Sequence, residues 1–445
     1  MNQLRQLRWF YPGLRVKRWI ALIIVGVLLF GAGFTFILGK NIPLDVYQAV
    51  KSTLKKPGAF GITLAFFGIV FIIYGIRRLT VRFIKLFLPD GDKHVVDMLY
   101  EEMYLRRGIR IVGIGGGTGL HSLLRGLKQH TSNITAIVTV SDDGGSSGRL
   151  RDELNILPPG DIRQCIAALA RSETSVSELF STRFQCEGPL NGHSVGNLLL
   201  AAMTELKGDF FQAVKELSKV LDIQGQVIPS TLSNVTLCAE LEDGIIVRGE
   251  TNITKSTGTV RRVFLSPPNC QALPEALRAI QEADIVVIGP GSLFTSIMPN
   301  LVVKDIAMAL RKTKAIRVYV CNIMSQPGET DDFSAADHAA KILNIMGKRT
   351  LDYIVVNRRF PVKQLERYQK KDQFPVRYNV EELKKLGVQH VMIEDLIMED
   401  ELVRHDPEKL GSVIMNLARQ AIPMANLRRW PAELEKLREN ITGVK

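Results

Sequence analysis

The chain has 445 residues, 46% of them apolar and 23% charged, which is enough for two or three domains with large cores and excludes disordered and collagen-like classes. Its net charge of +12 suggests nucleic acid or an anionic membrane surface until the charge is divided by position. Residues 1–110 hold 17 Lys/Arg against 6 Asp/Glu and the other 335 residues hold 40 against 39, so the basicity is N-terminal and the near-neutral remainder argues against a nucleic-acid partner.

The first elements are two uncharged apolar runs, Trp19–Gly39 and Pro57–Ile76, of 21 and 20 residues. Each is long enough to cross about 30 Å of hydrocarbon, so residues 1–76 are expected to form a transmembrane hairpin in contact with membrane lipid. Arg5, Arg8, Arg15, Lys17 and Arg18 precede the first run, and Arg77, Arg78, Arg82 and Lys85 follow the second. That bias places both ends, and the main domain, in the cytoplasm. A cleaved signal peptide would have one short core and no second span. Gly26 and Gly33, then Gly61, Gly68 and Gly75, recur every seven residues and give each helix a smooth stripe, for packing within the hairpin or along a dimer seam. The five cysteines show no C-x-x-C spacing, so neither a disulfide framework nor a zinc site is indicated.

Residues 77–107 read as a juxtamembrane connector with a turn at Pro89–Asp92 and an amphipathic helix from Lys93 to Arg107. From about Gly108, apolar β-branched runs alternate with helical patterns, which indicates an α/β fold, a doubly wound Rossmann-like and mostly parallel sheet. The strand candidates are Arg110–Ile114, Ile134–Val140, Asp284–Ile288, Ile316–Cys321 and Tyr353–Val356. Helices are expected over Leu120–Leu127, Gln164–Ala170, Val195–Glu205, Phe210–Leu221, Leu273–Glu282 and Ala335–Met346, the last opened by a Ser334-Ala-Ala-Asp337 capping box. Between about 227 and 265 the pattern is that of a small antiparallel β insertion, and residues 421–445 are expected to form a surface helix.

Ligands of doubly wound sheets lie beyond the carboxyl ends of the strands. The first strand ends in Gly115-Gly116-Gly117-Thr118-Gly119 and runs into a helix, an arrangement that lets backbone N–H groups meet an oxyanion. It lacks the third glycine of the dinucleotide fingerprint and the Gly-Lys-Ser/Thr of a P-loop, which weakens an NAD dehydrogenase reading. The second strand ends in Ser141-Asp142-Asp143-Gly144-Gly145-Ser146-Ser147-Gly148. Adjacent carboxylates there can hold Mg²⁺ through Asp142 and Asp143, bind a ribose or act as a base, and Ser146 belongs to a run able to wrap a polar ligand. Asp161 is read at least equally as a helix cap. Asn191, His193 and Asn197 place donors and acceptors on one loop, while Gly289, Gly291 and Ser292 repeat the strand, glycine loop and helix pattern. A later strand ends at Asn322. No Ser-His-Asp set, acid–base pair or nucleophilic cysteine stands out.

Gly115–Gly119, Ser141–Arg149, Pro159–Arg163, Gly192–Asn197, Gly289–Ser292 and Asn322–Glu329 occur in this order, and over roughly residues 108–420 the chain resembles the gluconeogenesis factor (YvcK) branch of the CofD-like family. The resemblance implies a Rossmann-like fold that binds a UDP-sugar such as UDP-N-acetylglucosamine, with links to gluconeogenic growth, cell shape and cell-wall synthesis proteins; a homo-oligomer is expected. It implies that Gly115–Gly119 and Gly289–Ser292 face the diphosphate and that Asp142 and Asp143 face metal or substrate. Tyr368 and Arg404 fit the same branch, since a ring can stack on uracil and a guanidinium can hold a diphosphate. The enzymatic alternative is a CofD-like, Mg²⁺-dependent transfer of a phospholactyl-type group from a guanosine diphosphate conjugate to a deazaflavin. CofD carries a shorter Asn-Thr-Gly-Asp-Asp type segment where this chain has Ser141–Gly148, a departure that disfavours the deazaflavin reaction.

Overall fold

The computed structural model describes residues 17–38, 57–87 and 105–422; the predicted turn at Pro89–Asp92, most of the connector helix and nearly all of the expected C-terminal helix lie outside them. The chain divides into two compact units, Met1–Glu101 and Glu102–Lys445.

In the first unit, helices α1 (Lys17–Leu38) and α2 (Pro57–Phe87) pack against each other. Both contain segments long and apolar enough to cross a membrane, Arg18–Ile37 and Ala59–Arg82. The second helix continues beyond the expected end at Ile76, because Arg77 to Phe87 contains no Gly or Pro to stop it. The glycine stripes are spent inside the hairpin. A Cβ on Gly33 would lie 2.5 Å from the Ala65 nitrogen, and one on Gly68 would lie 2.6 Å from the Phe30 nitrogen. The backbones touch where any side chain would hold them apart. Outward-facing Leu28, Phe34, Ile62, Phe66 and Ile73 remain exposed. Near one end, Trp19 and Tyr74 meet edge to face at 5.9 Å, and the Arg78 guanidinium lies over both rings.

The second unit is built on a seven-stranded parallel sheet: β1 (Ile111–Gly115), β2 (Ile134–Val138), β3 (Gln226–Pro229), β7 (Ile285–Ile288), β8 (Ile316–Val320), β9 (Tyr353–Asn357) and β10 (His390–Glu394). The spatial order β10-β9-β8-β7-β1-β2-β3 reverses its direction of growth between β1 and β7. Every residue of β1, β2 and β7 is buried, as expected for strands covered on both faces. Between β3 and β7 the chain inserts an antiparallel sheet of β4 (Thr236–Leu241), β5 (Ile246–Arg248) and β6 (Val260–Ser266), with a short helix Glu250–Lys255. A two-stranded ribbon, β11 (Ile397–Glu399) and β12 (Val403–His405), precedes the helix Pro407–Ala421.

The predicted central strands and the capping box at Ser334 are present. Edge strand β10 has no counterpart in the sequence reading because it is half-exposed and lacks a long apolar run, and β3, at the start of the stretch read as an antiparallel insertion, instead pairs parallel with β2 in the main sheet. The Gly145-Ser146-Ser147-Gly148 segment, read as a loop, is the first turn of helix Gly145–Leu154. Its glycines and serines disfavour a helix interior, but here they stand at an N-terminus. The helix expected from Gln164 begins at Gly160.

Helix Pro407–Ala421 crosses helix Gly117–Leu127 where Gly126 meets Gly411; a Cβ on Gly411 would lie 2.6 Å from the Gly126 carbonyl carbon. The crossing holds the β11–β12 ribbon beside the first glycine loop.

Isoleucine at Gly33 should force the hairpin helices apart and cost about 1–3 kcal/mol or more by overpacking, whereas isoleucine at Gly31, which faces open space, should cost little. Cysteine cross-linking between α1 and α2 in detergent, followed through a thermal melt, distinguishes the two variants.

Candidate functional site

The two glycine loops meet at the carboxyl ends of β1 and β7, where the strand order reverses and a doubly wound sheet opens its ligand crevice. A side chain at Gly119 would collide with the Pro290 carbonyl, and one at Gly115 would lie 3.9 Å from the Gly289 Cα. Gly117 has φ +60°, a conformation that costs glycine least. The helix Gly117–Leu127 that follows has no side-chain cap from Gly116, so its first-turn N–H groups carry a positive end toward the crevice. Asn300, fully buried, donates from Nδ2 to the Gly115 carbonyl at 3.1 Å and to the Ser296 carbonyl at 2.8 Å. It thereby ties the first loop to the π-helix Leu293–Ile297 after the second. The Asn322 side chain accepts from the Gly291 N–H at 3.3 Å.

Beside these loops lies a cavity of ≈ 250 Å³. The predicted residues Thr118, Gly119, Gly291, Ser292, Asn322, Tyr368 and Arg404 all line it. Tyr368 and Arg404, far from the loops in sequence, arrive on the helix Leu365–Gln369 and on β12. The Tyr368 hydroxyl accepts from the Val403 N–H at 2.9 Å, so the ring is fixed on the ribbon. Arg404 is exposed, and its guanidinium makes no hydrogen bond or ion pair with the described residues. Ser292 is more constrained than a free ligand group: its hydroxyl donates to buried Glu329, and it accepts from Thr295 Oγ1 at 2.6 Å.

The remaining predicted residues gather on the β2 side. Ser146 Oγ lies 2.9 Å from His193 Nδ1 and 3.0 Å from Asn197 Nδ2, all three residues buried. Burial, with Arg149 nearby, lowers the His193 pKa and favours its neutral form. Asn191 is exposed, and its carbonyl accepts from Arg149 at 2.7 Å. Asp142 and Asp143 serve different partners: Asp142 Oδ1 accepts the Gly144 N–H, while Asp143 Oδ1 accepts the Thr251 N–H and hydroxyl. The described residues contain no group of three His, Cys, Asp or Glu placed to hold a metal ion.

Three carboxyls carry more of the site's electrostatics than the sequence suggested. Asp161 is a poor cap for its own helix because it turns to the first glycine loop and accepts the Gly117 N–H. Desolvation and the neighbouring Asp142 push its pKa up to about 7. Glu250, on the helix of the antiparallel insertion, is pushed up to about 10 by desolvation and by Asp161, Asp142, Glu329 and Asp143. Burial also raises Glu329, against the hydrogen bonds from Ser292 and Thr295. The only signal in the sequence was that these acids adjoin glycines, at Gly160, Gly249 and Gly328; their convergence is tertiary.

A family model described as 2-phospho-L-lactate transferase CofD matches residues 111–397. A putative gluconeogenesis factor of Nostoc sp. is 43% identical over 418 residues, covering 92% of this chain and 91% of that protein. The gluconeogenesis factor of Bacillus subtilis is 47% identical over 312 residues, covering 70% and 98%. A crystal structure of a Bacillus halodurans protein superposes with a TM-score of 0.66 at 45% identity, covering 69% and 99%. A 92% match must extend into the unit Met1–Glu101, so the N-terminal segment is shared, at least in part, with some relatives.

Asp161→Asn keeps an acceptor for Gly117 and removes the titration. Because the folded pKa of about 7 lies above the ordinary carboxylate value, ionisation of Asp161 weakens the fold progressively as pH rises from about 4 to 7. The stability of the variant relative to wild type should therefore increase between pH 4 and pH 8, by at most about 4 kcal/mol. Denaturant unfolding of the full chain at both pH values measures it; a difference independent of pH would contradict the assignment.

Proposed function

The chain belongs to the CofD family, and from that premise we propose that it is a membrane-anchored, cytoplasm-facing nucleotide-sugar-binding regulator of the gluconeogenesis-factor kind. The ligand class is a UDP-sugar of the UDP-N-acetylglucosamine type. The observation that carries this reading is the composition of the ≈ 250 Å³ cavity. It joins a helix N-terminus, an arginine unpaired among the described residues and an anchored tyrosine at the sheet's switch point. The diphosphate lies against the N–H groups of Thr118 and Gly119, within reach of Arg404, in a field that favours anions. The Tyr368 ring offers the base an aromatic face. The relatives named gluconeogenesis factor support a role in carbon metabolism, and in this reading the hairpin keeps the domain near membrane-bound cell-wall synthesis proteins.

A second reading, a transferase acting on a nucleoside-diphosphate conjugate, draws on the description of the matching family model. In that reading Asp142 is the better candidate to activate an acceptor hydroxyl, since Thr251 occupies Asp143.

Calorimetry on the detergent-solubilised full chain tests both. UDP-N-acetylglucosamine should bind at submillimolar concentration, and Arg404→Ala, by loss of a charge-assisted contact, or Gly119→Val, by a clash with the Pro290 carbonyl, should weaken it at least about tenfold. Failure to bind at millimolar ligand rejects the regulator reading, and turnover of a guanosine diphosphate conjugate with a deazaflavin supports the transferase. A reporter fused after Lys445 should be active in the cytoplasm; activity on the other side refutes the orientation.

A further inference from the structure

The near-neutral count for the residues beyond 110 conceals an uneven distribution of charge. In a parallel sheet every strand starts at the same edge, so the segments just before the strands share one end of the second unit. Along that edge β9, β8, β7 and β1 are successive neighbours, together covering about 14 Å. Arg107 lies before β1, Lys312 and Lys314 before β8, and Lys348 and Arg349 before β9. All five are exposed, and none forms an ion pair or a side-chain hydrogen bond among the described residues. The acids of the same segments are already matched. Arg110 pairs with Glu282 and Asp284, each at 3.7 Å, and Arg317 pairs with Asp352 at 2.9 Å. What faces solvent there is an excess of positive charge. Cations in a last helical turn complement the helix dipole, which accounts for Lys312 at the end of helix Lys304–Lys312. Lys314, Lys348 and Arg349 stand beyond the helix ends and are not explained that way. The opposite edge contains the crowded carboxyls Asp142, Asp161, Glu250 and Glu329, so the unit is polarised along its strands.

The chain enters the unit at the basic edge. The Leu105 carbonyl accepts the Ser132 N–H at 2.9 Å, and Asn133 Nδ2 donates to the Gly108 carbonyl at 2.6 Å. Ser132 and Asn133 immediately precede β2. Residues 88–104, 17 in number, separate this entry point from the end of α2, and a chain of that length spans at most about 60 Å. With the hairpin in a bilayer, the basic edge is therefore held at high effective concentration over the lipid surface. A free polyanion such as RNA has no comparable advantage.

We infer that this edge of the sheet is a docking surface for a bilayer containing anionic lipid, with Arg107, Lys312, Lys314, Lys348 and Arg349 placed among the phosphate headgroups. The inference rests on the membrane-anchored reading and adds an orientation to it. The cavity beside the glycine loops lies at the carboxyl ends of the strands, so docking turns it away from the bilayer and toward ligand in solution. Each Lys or Arg near an anionic surface strengthens attachment about fivefold, and salt weakens it.

The experiment places the full chain, with Cys186→Ser to remove the exposed native thiol, in nanodiscs of phosphatidylcholine alone or mixed with phosphatidylglycerol. A fluorophore is attached at Gln389→Cys, just before β10 at the docking edge, or at Gln369→Cys, at the end of helix Leu365–Gln369 near the cavity. A lipid with a spin-labelled headgroup quenches whichever site docks. The docked-to-undocked ratio read at Gln389→Cys should be at least about tenfold higher with phosphatidylglycerol than without it. It should fall with added salt, and the label at Gln369→Cys should stay unquenched. These readouts need no charge variant. Lys314→Glu combined with Lys348→Glu, both on the surface, should lower the ratio on phosphatidylglycerol at least about tenfold. Docking through Gln369→Cys instead, equal quenching at Gln389→Cys in both lipids, or indifference to the charge reversals overturns the inference. A label at Leu28→Cys, on the exposed face of α1, read with an acyl-chain quencher separates this inference from the reading beneath it. Quenching at Leu28→Cys alone leaves the anchoring intact and rejects the docking. No quenching at Leu28→Cys rejects the anchoring itself, and this inference with it.

Discussion

The ligand end of the sheet depends on one steric constraint, the backbone-to-backbone contact of two glycine loops across the switch point. Gly119 stands against the Pro290 carbonyl, Gly115 faces Gly289, and Asn300 binds the Gly115 carbonyl from below. A β-carbon at Gly119 would separate the loops, and both helix starts would move with them. Order at this seam comes from what is missing, namely side chains, together with one buried amide that satisfies carbonyls no strand reaches. The crevice beside it is shaped before any ligand arrives, which reduces the ordering cost of binding.

The second organising feature is electrostatic. Anion-attracting backbone at the helix N-terminus stands close to an acidic group formed by Asp142, Asp161, Glu250 and Glu329. In a poorly solvated crevice these carboxyls cannot all ionise. Protonation of Glu250 and partial protonation of Asp161 near neutrality relieve the repulsion and leave the crevice less negative than a residue count suggests. A bound diphosphate would add charge beside this group, so the proton content of the crevice and its occupancy are coupled in principle.

Much of this architecture was readable in the chain. Buried parallel strands such as Ile285–Ile288 show as uninterrupted β-branched runs, and Ser334 with Asp337 announces a helix start because the capping box is local. The glycine loops were legible for the same reason, since the residues that bend the chain are the residues that bend. The edge strand His390–Glu394 was missed because half-exposed strands lack a continuous apolar signature, and helix Gly145–Leu154 because its first turn is composed of poor helix formers. The electrostatic core was illegible for another reason. Asp161 meets Gly117, and Glu250 meets Asp161 and Glu329, only after three separate loops converge; no local pattern encodes a convergence. Tyr368 and Arg404 entered through family resemblance, and the structure supplies the reason they belong together: one ribbon and one hydroxyl bond.

The glycine crossing of Gly126 with Gly411 gives the fold a division of labour. The glycine loops meet at the head of β1 and β7, deep in the sheet, whereas the wall bearing Arg404 and His405 is a three-residue strand pinned from behind by the last described helix. Such a wall can be exchanged like a tool head. A few substitutions in the ribbon would present new chemistry to the cavity while the sheet, the loops and the crossing stayed as they are, so a lineage could change what the cavity admits without rebuilding the fold.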